Sequence, residues 1–218
     1  MTIHATDVAI VGGGMVGGAL ALGLAQQGFT VTVLEKTAPP AFDPASAPDV
    51  RISAISAASV GLLKSLDVWD AVRAMRVHAY RRLETWEWES AHVAFDAAEL
   101  KLPELGYMVE NKVLQWGLWQ ALAAHEGVTL RVGGELEAMQ RGEAQTALRL
   151  REGETIHARL VIGADGASSQ VREMAGIGVH AWQYQQSCML ISVQCADDPG
   201  DSTWQQFTPS GPRAFLPL

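Results

Sequence analysis

Asp7-Val8-Ala9-Ile10-Val11-Gly12-Gly13-Gly14-Met15-Val16-Gly17-Gly18 opens the stretch that decides the fold, and Phe29-Thr30-Val31-Thr32-Val33-Leu34-Glu35 closes it. A β-type run leads into a glycine cluster. A helical Ala/Leu-rich run follows over 14–27, and a second β-type run ends in an acid. This order predicts a dinucleotide-binding βαβ unit. Gly12 lets the chain turn tightly out of the first strand. Gly14, without a Cβ, lets the backbone approach a pyrophosphate, and Gly17 lets the helix pack close to the sheet. The helix start offers free N–H groups and a positive dipole end to the phosphates. Glu35 lies 23 residues after Gly12, where a carboxylate can accept hydrogen bonds from both hydroxyls of an adenosine ribose.

Residues 8–34 carry no charge, so a membrane span is the competing reading. Six glycines in 8–25, no Lys or Arg ahead of the run, and Gln26-Gln27-Gly28 in its middle argue against a spanning helix or a signal peptide. At 218 residues the chain can bury a real core as one or two domains. Its 48% hydrophobic and 18% charged residues fit a soluble α/β protein, and the net charge of −8 argues against a nucleic-acid partner. Cys188 and Cys195 match no metal or redox spacing, which suggests a reducing cytoplasm and buried thiols. The histidines (4, 78, 92, 125, 157, 180) show no ligand spacing, so no metal site is assigned.

After Lys36 a Pro/Ala/Asp stretch to Pro48 must be loop. Helical segments are expected near 56–66 and 68–75. Strands are expected within 81–95, with Trp86 and Trp88 sharing one face. Asn111 stands where the cap of a helix over 112–125 belongs. Three β-type stretches near 128–132, 135–140 and 146–151 read as an antiparallel meander, turning at Gly133-Gly134 and Arg141-Gly142-Glu143. Leu160-Val161-Ile162-Gly163 reads as a short buried strand, followed by a helix near 168–174. Strands are expected at 183–195, 203–208 and 213–218. The expected fold is α/β: a Rossmann-like nucleotide-binding domain with a β-meander over 1–78 and 106–178, plus part of a β-rich domain over 79–105 and 179–218.

Gly163-Ala164-Asp165-Gly166-Ala167-Ser168-Ser169-Gln170-Val171-Arg172 follows a strand at the end where open α/β sheets bind ligands. Alone it is also an ordinary strand–turn–helix joint. Together with the first motif it resembles the flavin-dependent aromatic hydroxylases, the group A monooxygenases. The resemblance implies FAD, with Asp165 and Gly166 where FAD and a nicotinamide donor meet. It implies Arg51 near the FAD pyrophosphate and flavin, and Asn111 (where many members carry Arg) and Gln115 on the flavin side. Met15, Val16 and Lys36 complete the candidate cofactor-binding set with Gly12, Gly14, Gly17 and Glu35.

Asp49-Val50-Arg51-Ile52-Ser53-Ala54-Ile55-Ser56-Ala57-Ala58-Ser59, Val109-Glu110-Asn111, Trp182-Gln183-Tyr184-Gln185-Gln186 and Gly211-Pro212-Arg213-Ala214-Phe215-Leu216-Pro217-Leu218 look like the ubiquinone-biosynthesis hydroxylases. Residues 82–89 and 186–195 point to one branch of them. The resemblance implies ring hydroxylation of a prenylated benzoquinol by O2 through a flavin C4a-hydroperoxide, with NAD(P)H as electron donor. No catalytic side chain is assigned, because that chemistry needs no side-chain nucleophile. It also implies a cytoplasmic protein at the inner-membrane surface, beside other ubiquinone-biosynthesis proteins, with no transmembrane segment. Trp86 and Trp88 could line a ring pocket, with core packing as the alternative. The family carries a third flavin motif, Gly-Asp-Ala-Ala-His, that does not occur here. The chain is therefore expected to be an N-terminal portion, with part of the substrate domain only, inactive alone and prone to self-association. An NAD(P)-linked flavoprotein reductase and a non-catalytic binding or assembly protein are the rival readings.

Overall fold

A computed structural model describes residues 3–218 of the chain. In order it forms β1 (Ile3–Val11), α1 (Met15–Gln26), β2 (Val31–Glu35), β3 (Ile52–Ser56), α2 (Ala57–Ser65), α3 (Trp69–Arg73), β4 (Val77–Tyr80), β5 (Arg82–Trp86) and β6 (His92–Asp96). Then come β7 (Gly106–Glu110), α4 (Asn111–Ala124), β8 (Val128–Val132), β9 (Leu136–Arg141), β10 (Thr146–Leu150), β11 (Thr155–Gly163), α5 (Gln170–Met174), β12 (Ser202–Thr208) and β13 (Gly211–Phe215). Two compact units result: 1–41 with 115–188, and 42–114 with 189–218.

The first unit holds a six-stranded sheet in the order β8-β2-β1-β11-β10-β9. β8, β2, β1 and β11 pair in parallel, and β10 is antiparallel to both β11 and β9. Alternation along β1 divides the core. Ala9 and Val11, with Leu34 of β2, face a cluster that includes Leu136, Leu148, Leu150, Ile156 and Val171. Val8, Ile10, Val31 and Val33 occupy the opposite face and are also buried. α1 buries Ala21, Leu22 and Ala25, and a Cβ on its Gly18 would make ordinary van der Waals contact with Leu118 and Leu122 of α4. It ends at Gly28, whose φ of +86° suits a glycine and whose N–H bonds to the Ala25 carbonyl.

The meander differs from the expected one. β8 leaves it and pairs in parallel with β2, because a strand reached through helix α4 makes a crossover. Gly133-Gly134 is then the exit from β8, and the meander is β9-β10-β11. β11 is also longer and less buried than expected. β10 pairs only with Thr155–Ala158, so the rest of β11 has β1 on one side and, among the described residues, no strand on the other. Leu160 is accordingly 53% exposed.

The second unit holds a four-stranded sheet, β13-β12-β5-β6, and a three-stranded one, β3-β7-β4. α2 is capped by Ser56, whose Oγ accepts the Ser59 N–H. Trp69 is buried edge-on against Tyr107, with ring centroids 4.8 Å apart. Trp86 lies 5.4 Å from Trp204, which stacks on Phe215. Trp88 does not share that face. β5 stops at Trp86, the chain turns through 87–91, and Trp88 is 60% exposed in the turn. The expected strand over 183–195 is absent: these residues form no ladder with the described sheets. Their β-type side chains are exposed, and propensity cannot replace a neighbour's N–H and C=O groups. Cys188 and Cys195 are exposed there rather than buried.

Candidate cofactor-binding site

β1 delivers Gly12 with φ +106°, a conformation that other residues adopt only with strain. A Cβ on Gly12 would sit 2.2 Å from the Ala164 carbonyl oxygen, because the turn lies against the end of β11. A Cβ on Gly17 would sit 2.0 Å from the Gly12 carbonyl oxygen. The third glycine of the motif is thus required where the first turn of α1 passes over the loop's own backbone. Gly14 contrasts with both. Its backbone is extended, and a Cβ there would meet nothing within 4 Å. The side of the loop at Gly14 is therefore open, the start of α1 has no side-chain cap, and no acid stands in its first turn. Unpaired amides and a positive helix end, with no competing carboxylate, fit a pyrophosphate. Val16 is 75% exposed in that first turn and Met15 is half-buried.

Glu35 closes the rim. Its Oε2 accepts the Gly13 N–H at 2.6 Å and its Oε1 the Thr37 N–H at 3.2 Å. Gly13 is pressed between Glu35 and the buried Trp119. A Cβ there would stand 3.0 Å from the indole and 3.1 Å from Glu35 Cβ. Gly13 and Trp119 thus shape the rim, a role that a three-glycine run and a helix tryptophan do not announce. The carboxylate keeps lone pairs for ribose hydroxyls. Lys36 beside it is exposed, and Gln115 is half-buried in α4.

Asp165 and Gly166 lie on the loop after β11, one residue past the Ala164 against which Gly12 packs. Gly166 has φ +85°, which explains the glycine. The Asp165 carboxylate turns toward α5. Oδ1 accepts Ser169 Oγ–H at 2.5 Å, and Oδ2 accepts the N–H groups of Gln170 at 2.7 Å and Val171 at 3.2 Å. Burial alone would raise its pKa. The hydrogen bonds from Ser169, Val171 and Gln170 outweigh that and hold the carboxyl below its ordinary value. Ser169 caps α5: its Oγ accepts the Arg172 N–H.

In the second unit, Arg51 and Asn111 are brought together. The Arg51 carbonyl accepts the Asn111 N–H at 2.9 Å. Asn111 is the first residue of α4, but its Oδ1 accepts Ser53 Oγ–H at 2.6 Å instead of capping the helix. Arg51 is exposed, and its guanidinium forms no hydrogen bond or ion pair among the described residues. No group of three His, Cys, Asp or Glu side chains among the described residues could hold a metal ion. No helix among them is long and apolar enough to cross a membrane.

The profile of the family described as the FAD binding domain matches residues 5–213. The chain belongs to the FAD-binding domain family. This FAD-binding-family chain is 75% identical over 218 residues to 3-demethoxyubiquinol 3-hydroxylase of Escherichia coli (strain K12), covering all of this chain and 56% of that protein. It is 36% identical over 214 residues to ubiquinone hydroxylase UbiL of Rhodospirillum rubrum, covering 97% of this chain and 49% of that one. The chain thus spans about half the length of the curated relatives it matches. Among solved structures, PqsL of Pseudomonas aeruginosa, described as a probable FAD-dependent monooxygenase, superposes with a TM-score of 0.67 at 23% identity. That match covers 83% of this chain and 48% of PqsL, and it bears on the fold alone.

Proposed function

We propose that this chain binds FAD and forms the cofactor-binding part of a hydroxylase that acts on a prenylated benzoquinol of ubiquinone biosynthesis, with NAD(P)H as electron donor. The observation that carries the reading is the open side of the loop at Gly14, with Glu35 fixed at its rim. The 75% identity to the Escherichia coli hydroxylase supports the choice of substrate. Bound FAD supplies reductive activation of O2 and transfer of one oxygen atom to an electron-rich ring.

The chain's own residues bind and orient. The backbone from Gly12 to Gly17 cradles the pyrophosphate, and the start of α1 stabilises its charge. Glu35 accepts the adenosine ribose hydroxyls. Asp165 holds the loop around Gly166 by capping α5, so it acts through backbone shape. Arg51, Asn111 and Gln115 are the proposed flavin-side contacts. A prenylated substrate places the reaction at a membrane surface, without need for a spanning helix.

A chimera tests this. The chain is fused to the remainder of the Escherichia coli relative and expressed in a strain lacking that enzyme. Restored ubiquinone synthesis supports the reading, with Gly14→Ala in the same chimera abolishing it. A stable, FAD-loaded chimera that oxidises NAD(P)H without hydroxylating the quinol contradicts it.

A further inference from the structure

We infer that Glu110 is a positioning residue that fixes Arg51 and Asn111, an inference that rests on the flavin-side roles proposed for those two. The Glu110 side chain is 0% exposed at the end of β7. A carboxylate that far from water persists only when its oxygens are met. Arg76 Nη1 lies 3.0 Å from Oε1, Lys112 Nζ lies 3.2 Å from Oε2, and the Asp49 N–H donates to Oε2 at 2.6 Å.

This carboxylate fastens the loop that leads to Arg51. Arg76 Nη2 also donates to the carbonyls of Pro44 at 3.2 Å and Ser46 at 2.8 Å. From Asp49 the bonds continue unbroken. Its Oδ1 accepts the Arg51 N–H at 3.0 Å, and the Arg51 carbonyl accepts the Asn111 N–H at 2.9 Å. The loop contributes no helix or strand of its own between Thr37 and Arg51. These bonds, with Lys112 Nζ donating to the Ala47 carbonyl at 3.4 Å, tie down the part of it from Pro44 to Arg51. An apolar pair in place of Arg76 and Glu110 would fill the same space, but would leave the Asp49 amide without an acceptor. The retained charge makes sense as a geometric constraint on the exposed Arg51 and the half-buried Asn111.

The test is backbone amide exchange and FAD affinity in Glu110→Gln and Asp49→Ala, with Met108→Ala as a control that weakens buried β7 packing and leaves the network intact. Asp49→Ala removes the link to Arg51 without disturbing the buried pair, so it serves if Glu110→Gln fails to fold. Exchange at Arg51, measured against the β3 amides, should rise at least tenfold in both network variants and not in the control. The FAD dissociation constant should rise at least tenfold in the same two. Unchanged exchange at Arg51, or loss of FAD affinity equal to the control's, overturns the positioning role. Faster exchange in a chain that never bound FAD leaves the network standing and overturns the flavin-side reading instead.

Discussion

Glu35 accepts the N–H of Gly13 at 2.6 Å, so the acid at the end of β2 is bonded to the middle of the glycine loop. The proposed ribose acceptor and the proposed pyrophosphate loop are therefore joined by a direct hydrogen bond. Glu35→Gln keeps an acceptor for the Gly13 N–H but loses the charge that strengthens its bonds. The FAD dissociation constant should rise about tenfold, which is about 1.4 kcal/mol. The urea midpoint should shift little.

Gly12 and Gly14 of the loop differ in what surrounds them. Gly12→Ala forces a Cβ against the Ala164 backbone at a positive φ. It should lower stability by at least about 2 kcal/mol. Gly14→Ala meets no protein atom, so stability should stay within about 0.5 kcal/mol of the unaltered chain. Its FAD affinity should fall at least about tenfold, since the added methyl group occupies the open side. Urea denaturation and FAD titration of both variants check the contrast.

Asp165 gives a pH dependence with a definite sign. Burial opposes its ionisation, but the bonds from Ser169, Val171 and Gln170 depress its folded-state pKa. Its contribution is thus fully present above the unfolded value near about 3.9, and is lost as pH falls through the lower folded value. Stability should decline on acidification below roughly pH 5. Asp165→Asn should remove part of that slope and cost about 1 kcal/mol at neutral pH, because one of the two oxygens that accept from Ser169, Gln170 and Val171 becomes an NH2 group. Urea midpoints across the acid range measure both effects.

Removing one member of the buried ion pair should be severe. Arg76→Ala leaves the Glu110 carboxylate with less compensation and frees the Pro44 and Ser46 carbonyls. A loss of about 3–5 kcal/mol is expected, together with faster proteolysis within 42–50. Substituting the exposed Arg149, paired with Glu137 at 2.9 Å, should change stability by less than about 1 kcal/mol. Thermal melts of the two variants side by side give the comparison.

Much of the fold was legible because its signals are local. The run from Asp7 to Glu35 combines a buried strand, glycines at fixed spacing and a second β-type run ending in an acid, and β1, α1 and β2 lie where those signals put them. Partner choice was less legible. β8 has the composition of a meander strand, and only its arrival through α4 sends it beside β2. Residues 183–195 have strand composition but no ladder among the described sheets. In the site, Gly12, Gly14 and Gly17 carried their own spacing. Glu110 carried no such signal, since its importance comes from Arg76 and Asp49, which are distant in sequence and meet it only after folding.

The claim that Gly12–Gly17 and Glu35 form an adenine-dinucleotide site for FAD is tested most directly by titrating FAD into the purified chain, followed by flavin fluorescence. FAD should bind, ADP should displace it, FMN should not, and Gly14→Ala should weaken binding at least about tenfold. No binding of FAD by the folded chain, or displacement by FMN as readily as by ADP, would contradict the account.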